Sequence, residues 1–218
     1  MDYQNAFGAQ VRQVDAKTRD HKPTRTVCAS RVFPTNQSDL WDALTNIERI
    51  SNWFAPVSGE LFLGGQYQIE GNASGTITRC DKPLALDLTW ELSSSMSWVS
   101  LRLETQAAGT CLTLEHEMMR DEASEAHWTK YGPGATGVGW DLSFFGLGIH
   151  INNLSEKSEK LEHESNMAWM MSDSGKDFMQ DSAQAWSKAH INSGEKENIA
   201  QAMASRTCLL YTSPSPRD

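Results

Sequence analysis

The chain has 218 residues, of which 39% are hydrophobic and 22% charged, and its formal net charge at pH 7 is −9. This acidic balance argues against a nucleic-acid partner, which normally requires a basic stripe, and against a polybasic patch that docks on anionic lipid. No apolar run is long enough to span a membrane, and the N-terminal segment lacks the apolar core of a signal peptide. We therefore predict a cytoplasmic protein with no membrane insertion, of a length that suits one large domain or two small ones.

Metal and cofactor motifs are missing from the sequence. The cysteines Cys28, Cys80, Cys111 and Cys208 form no CxxC pair and are interpreted as small buried side chains in a reducing compartment. No two histidines have HxH or HxxxH spacing, so we predict no metal site. We also predict no cofactor, because no GxSxG, no P-loop and no GxGxxG between a strand and a helix is present.

The N-terminal third mixes a polar segment, a strand and two helices. Residues 1–23 are weakly patterned and are expected to be loosely ordered. Residues 24–33 alternate apolar and polar side chains, which predicts a strand that Pro34 ends. The apolar stripe that starts at Leu40 predicts a helix, and residues 48–54 predict a second, shorter one.

Beyond residue 57 the apolar period changes to two. Glycine-containing turns separate short alternating runs, a pattern typical of an antiparallel meander with one buried face. The predicted strands are 58–63, 66–70, 74–80, 84–91, 98–105 and 111–118.

The stretch 127–151 is rich in aromatic residues and glycine and carries little charge. Trp140, Phe144, Leu147 and Ile151 recur at helical spacing, which predicts a buried helix. Four glycines interrupt it, and each costs about 1 kcal/mol relative to alanine in a helix interior. Either the helix approaches another backbone or a ligand closely, or it needs small residues for packing alone.

The C-terminal part is predicted to be a helical extension over residues 156–207. Phe178 and Trp186 fit one face of its main helix, and Ala200 and Met203 fit a last short helix. Residues 208–218 read CLLYTSPSPRD and match, codon by codon, the translation of a transposase-type sequencing adapter. We expect these residues to form a disordered tail without a biological role.

Several motifs carry a family resemblance that covers residues 24–207. The pieces SNWFAPVSGELFLGGQYQIEG, LTWEL and HWTKYGPGATGVGWDLSFFGLGIHI resemble the SRPBCC or START-like superfamily, in the bacterial branch named for the activator of the heat-shock protein's ATPase. The resemblance implies an α+β helix-grip fold over residues 24–155. In this fold a curved antiparallel sheet of six to seven strands wraps around a C-terminal helix and encloses an apolar cavity. Members of the superfamily include lipid and hormone carriers, aromatase/cyclases and co-chaperones.

His116 is the best candidate for chemistry. It lies in phase with Leu112 and Leu114 on the inward face of its strand. One interpretation is an acid, a base or a ligand-binding group in the cavity. The other is a core histidine that bonds to a backbone carbonyl.

Two carboxylates leave further alternatives open. Asp141 lies inside the apolar helix and needs a partner, either in a polar site under the helix start or in a salt bridge to Arg79 or Arg102. Glu70 ends a strand and either points at the cavity mouth or occupies a solvated edge.

These observations predict a protein that binds a small apolar or aromatic molecule between sheet and helix. The alternatives are a cyclase, dehydratase or hydrolase that uses the same cavity with His116 as its acid or base, and a chaperone-linked interaction module. A homodimer and a chaperone partner are left open. The predicted ligand-lining residues are Trp53, Tyr67, Ile69, Trp90, His116, Trp140 and Phe144.

Overall fold

The computed structural model describes residues 10–93, 95–156 and 169–212. One open antiparallel sheet of eight strands, in the order β1-β2-β8-β7-β6-β5-β4-β3, packs against a long central helix, which confirms the predicted α+β helix-grip fold. The strands are β1 (Val11–Arg19), β2 (Lys22–Phe33), β3 (Val57–Gly59), β4 (Gln66–Ile69), β5 (Ser74–Asp81), β6 (Ala85–Leu92), β7 (Ser95–Gln106) and β8 (Gly109–Met119). The helices are α1 (Gln37–Thr45), α2 (Ile47–Ile50), α3 (Glu122–Tyr131), α4 (Gly134–Glu156), α5 (Asp173–Asn192) and α6 (Glu197–Thr212).

The first hairpin corrects the expectation of a loosely ordered N-terminal segment. Residues 11–23 belong to β1 and β2, which are joined by a tight turn at Asp20 and His21 with φ values of 49° and 63°. Positive φ at both turn positions suits the twist of a two-residue hairpin. β1 is an edge strand that buries only Val14 of its own residues, so its sequence shows little alternation.

Helix α3 occupies a segment for which the sequence showed no helical stripe. Its start is fixed by a capping box: the Asp121 carboxylate accepts from the Ser124 amide at 2.8 Å, and the Ser124 hydroxyl accepts from the Asp121 amide at 3.1 Å. Two orphan amides are satisfied in this way. None of its side chains is fully buried, which explains the missing apolar pattern.

The central helix α4 is covered on two sides. Phe144 meets Phe33 of the sheet edge-on, with ring centroids 5.8 Å apart. On the opposite side Phe145 packs against Trp169 and Phe178 at 4.7 and 5.2 Å. Burial on both sides explains why this stretch is apolar almost throughout. Within the described residues, no helix is both long and apolar enough to cross a bilayer.

Other parts of the protein lie very close to two glycines of α4. A Cβ atom at Gly137 would lie 2.2 Å from Cε2 of Trp186 in α5, and one at Gly146 would lie 2.5 Å from the Trp53 carbonyl oxygen. At Gly137 and Gly146 the close approach that offsets the low helix propensity is therefore to an indole ring and to a backbone carbonyl.

Replacing Gly137 with alanine is expected to lower the free energy of unfolding by about 1–3 kcal/mol, because overpacking against Trp186 outweighs the gain in helix propensity. Gly139→Ala is the matched control, since its nearest non-local atom, the Tyr211 hydroxyl oxygen, would be 3.4 Å away. This control should be neutral or stabilising by up to about 1 kcal/mol. Urea unfolding midpoints measure both changes, and equal effects would contradict the packing argument.

The C-terminal helices correct part of the tail prediction. Helix α6 continues through residues 208–212, and the Tyr211 hydroxyl donates to the Ala135 carbonyl at 2.8 Å, so this part is not a disordered tail. Residues 213–218 lie outside the described residues. The predicted extension over 156–207 is described from residue 169 as α5 and most of α6.

Candidate functional site

A cavity of about 100 Å³ lies between the sheet and helix α4. Six of the seven residues predicted to contact a ligand line it. They are Trp53, Tyr67, Ile69, Trp90, Trp140 and Phe144. The seventh, His116, lies outside the lining of this cavity and borders the space on the other side of Trp90 and Trp140.

The remaining lining residues were missed, although the alternation of β6 and β8 could have revealed several of them. Leu86 and Leu88 share a strand face with Trp90, and Leu112 and Leu114 share one with His116. The lining residues not predicted are Leu44, Ile50, Phe54, Val57, Leu61, Leu86, Leu88, Val99, Leu101, Leu112, Leu114, Ser143 and Leu147.

The polar atoms at this cavity are already engaged within the protein. The Tyr67 hydroxyl donates to the Thr89 carbonyl at 2.7 Å, and the Ser143 hydroxyl donates to the Gly139 carbonyl at 2.8 Å. Burial, with a smaller contribution from the charge of Glu91, raises the pKa of Tyr67 well above its usual value. The cavity therefore presents an apolar, uncharged surface.

His116 is the centre of a hydrogen-bonded chain. Its Nδ1 accepts from the Trp140 indole N–H at 3.1 Å, so the ring proton belongs on Nε2. Nε2 lies 2.8 Å from the Ser97 hydroxyl oxygen, and that hydroxyl donates to the Trp90 carbonyl at 3.1 Å. The partners of His116 are thus two side chains, so the expected direct bond to a backbone carbonyl is wrong.

This bonding makes His116 a neutral, fully engaged side chain. It is 6% exposed, and burial lowers its pKa to about 4. At neutral pH both ring nitrogens are occupied by Trp140 and Ser97, which leaves no free nitrogen for a substrate. The geometry suits a residue that fixes the position of Trp140 better than it suits an acid or base.

Trp90, His116 and Trp140 form a wall of three rings, named here the aromatic wall. The Trp90 and Trp140 centroids are 5.2 Å apart with an interplanar angle of 65°, and His116 lies 5.8 Å from each. Edge-to-face contacts of this kind are favourable for aromatic rings. The aromatic wall lies between the cavity and a second space, and the two spaces adjoin beside it at Phe54 and Ser143, which border both.

That second space, named here the outer cleft, consists of two adjoining pockets of about 410 and 390 Å³. Both pockets are bordered by the aromatic-wall residues Trp90 and His116 and by His127 of helix α3. Trp128 lies on the same helix and borders the larger pocket.

Asp141 lies in a separate polar cluster on the side of α4 that faces away from the cavity. Its carboxylate accepts from Arg12 Nε at 2.9 Å and from the side chains of Gln10 and Ser182. Asp141 is 1% exposed, and burial raises its pKa to about 6. The cluster links the β1 region, α4 and α5, and plays no part in the cavity lining.

The partners expected for Asp141 were wrong. Arg79 pairs with Asp81 at 2.6 Å, and Arg102 pairs with Asp87. Glu70 is exposed at the turn after β4, as the solvated-edge interpretation requires.

The curved sheet packed on a long helix, with an apolar cavity between them, defines a helix-grip protein. Residues 34–148 match the family model described as activator of Hsp90 ATPase homolog 1-like protein. The chain belongs to this family, which confirms the resemblance to the SRPBCC superfamily and to its heat-shock activator branch. No curated protein sequence matches the chain.

Solved structures extend the comparison. The crystal structure of CalU16 from Micromonospora echinospora is 27% identical with a TM-score of 0.63, and the match covers 83% of this chain and 98% of that one. MLL2253 from Mesorhizobium loti is 23% identical with a TM-score of 0.52, over 59% of this chain and 98% of that one. EF2215 from Enterococcus faecalis, a conserved protein of unknown function, is 13% identical with a TM-score of 0.57, over 88% and 96%. The last two likenesses concern the fold alone.

Proposed function

We propose that the protein binds a small apolar or aromatic molecule in the cavity between the sheet and helix α4. The observation that carries this proposal is the cavity lining, which is apolar and whose Tyr67 and Ser143 hydroxyls are already bonded. An apolar occupant gains dispersion contacts with this lining without needing a hydrogen bond.

The lining also favours binding over acid-base catalysis. A cyclase, dehydratase or hydrolase needs a titratable group that faces the substrate with a free nitrogen or oxygen. Among the described residues that line the cavity, Tyr67 is the only titratable one, and its hydroxyl is bonded to a carbonyl. His116 has both ring nitrogens engaged. The homodimer, the chaperone partner, the bacterial origin and the cytoplasmic location remain predictions.

Native mass spectrometry of the protein purified from cells tests the proposal. We expect a small-molecule adduct that disappears under denaturing conditions and can be extracted with organic solvent. If cells supply no such compound, added benzene, which has a single ring, should change the fluorescence of the cavity tryptophans in a saturable manner. A protein that carries no adduct and does not bind benzene would contradict the proposal.

A further inference from the structure

We propose that the outer cleft holds the second half of the same ligand, and that this half carries an uncharged hydrogen-bonding group. The ligand class is therefore a neutral amphipathic aromatic compound, with one ring in the cavity and a hydroxyl or carbonyl group in the outer cleft. This inference rests on the proposed function and adds to it the shape and charge of the ligand.

The first argument is size. An apolar cavity of about 150 Å³ accommodates benzene, so a cavity of about 100 Å³ holds no more than one small ring. The two pockets of the outer cleft measure about 410 and 390 Å³. A ligand of more than one ring therefore needs space beyond the cavity, and the outer cleft that adjoins it supplies that space.

The second argument is continuity. Phe54, Trp90, Trp140 and Ser143 border both the cavity and the smaller pocket of the outer cleft. The rings of Phe54 and Trp140 are nearly parallel, at an interplanar angle of 11°, with centroids 6.5 Å apart. This separation is near the upper end of the range for attractive aromatic pairs, so the two rings lose little when a third lies against them. The cavity and the smaller pocket therefore adjoin beside the Phe54–Trp140 pair, and a ligand that spans both would lie against these rings.

The third argument is charge. Arg25, the cation that borders the larger pocket, is paired with Glu125 at 2.9 Å and lies over the Trp128 ring at 4.3 Å. Asp121 borders the same pocket and is used as the cap of α3, where it accepts from the Ser124 amide. Both charges are thus engaged, and a carboxylate or phosphate on the ligand would find no free cation there.

His127 is the group best placed to recognise the polar end. It borders both pockets of the outer cleft, and within the described part of the chain its imidazole makes no hydrogen bond. Burial and the nearby charge of Lys130 lower its pKa, which favours the neutral ring with one donor and one acceptor. Tyr211 also borders the cleft but belongs to the adapter-like stretch, so we leave it out of the site.

Three probes that share the naphthalene ring system test the inference: naphthalene, 2-naphthol and 2-naphthoate. Each is titrated into the protein at pH 7, and binding is followed by tryptophan fluorescence. We expect 2-naphthol to bind about five- to tenfold more tightly than naphthalene, because one added hydrogen bond contributes about 1 kcal/mol. The anion 2-naphthoate should bind no more tightly than naphthalene. His127→Phe keeps the ring and removes both hydrogen-bonding atoms, so it should bring 2-naphthol to the naphthalene affinity.

The outcomes separate this inference from the proposed function. If naphthalene binds but 2-naphthol binds no more tightly, the outer cleft does not hold the polar end. The same conclusion follows if 2-naphthol keeps its higher affinity in His127→Phe. Tighter binding of 2-naphthoate than of 2-naphthol overturns the uncharged class. If benzene binds but none of the three probes does, the proposed function stands and this inference fails. His127 is exposed on α3, so its replacement should leave the fold intact, and circular dichroism checks this.

Discussion

Replacing Asp141 with asparagine is expected to lower the free energy of unfolding at pH 7 by about 1–3 kcal/mol, because the amide NH2 replaces one of two acceptor oxygens and leaves a buried donor unpaired. The Arg12 side chain is 7% exposed and the Asp141 side chain 0% exposed, so water does not replace the lost acceptor. Asparagine keeps the size of the side chain and one acceptor oxygen, which isolates the loss of the second acceptor.

The matched control is Asp87→Asn, which breaks the pair with Arg102. The side chains of that pair are 24% and 38% exposed, so solvent screens the lost charge and the effect should stay below about 1 kcal/mol. Urea unfolding at pH 7 measures both variants. Similar losses in the two would contradict the burial argument.

The titrations of Asp141 and His116 should also change the free energy of unfolding in opposite directions. Burial raises the pKa of Asp141 from 3.8 to about 6, so its contribution to stability is present below about pH 4 and is lost as the pH rises to 6. Burial lowers the pKa of His116 from 6.5 to about 4, so its contribution is present above about pH 6.5 and is lost as the pH falls to 4. The two trends act in opposite directions between pH 4 and 6.

Asp141→Asn removes the pH dependence that comes from Asp141 and leaves the one that comes from His116. The free energy of unfolding of this variant should therefore fall more steeply than that of the parent protein as the pH is lowered from 6.5 to 4. Urea titrations at half-unit pH intervals give both slopes. A parallel pair of curves would show that the burial of Asp141 does not disfavour its charged form.

Filling the cavity is expected to abolish binding. Leu88 lies on β6 opposite Val99, and both line the cavity. An indole at position 88 would occupy a space of about 100 Å³, so Leu88→Trp should weaken naphthalene binding by at least tenfold. Tryptophan fluorescence or calorimetry gives the affinity.

Leu84→Trp is the control, because Leu84 precedes the same strand, is 54% exposed and does not border the cavity. It should bind naphthalene as the parent protein does. If Leu88→Trp is too unstable to measure, Leu101→Phe fills the same cavity from β7 with a smaller addition. Undiminished binding in a folded cavity-filling variant would place the ligand elsewhere.

Much of the fold could be predicted because strands and helices that bury one face show a periodic pattern of apolar residues. The inward face of β8 alternates as expected, and six predicted residues meet at one cavity because sheet and helix each present one apolar side to it. Elements that bury few side chains show no such pattern. β1 buries only Val14 of its own residues, and α3 is held by polar caps at Asp121 and Ser124, so both elements escaped prediction.

Side-chain partners could not be predicted, because they depend on the register and on docking between distant parts of the chain. His116 meets Ser97 through the pairing of β7 with β8 and meets Trp140 only after α4 docks on the sheet. The partner of Asp141 lay in a segment without an expected structure, so Arg12 was not a candidate.

The hydrogen-bonded chain through His116 makes the Trp140 ring a fixed part of the cavity. Any rotation of that ring separates the indole N–H from Nδ1 of His116, which then has no donor in a buried setting. The broken bond and the buried acceptor left behind cost about 1–3 kcal/mol. Hydrocarbon rings alone would lack this cost, so the single histidine in the aromatic wall makes the cavity rigid and preformed.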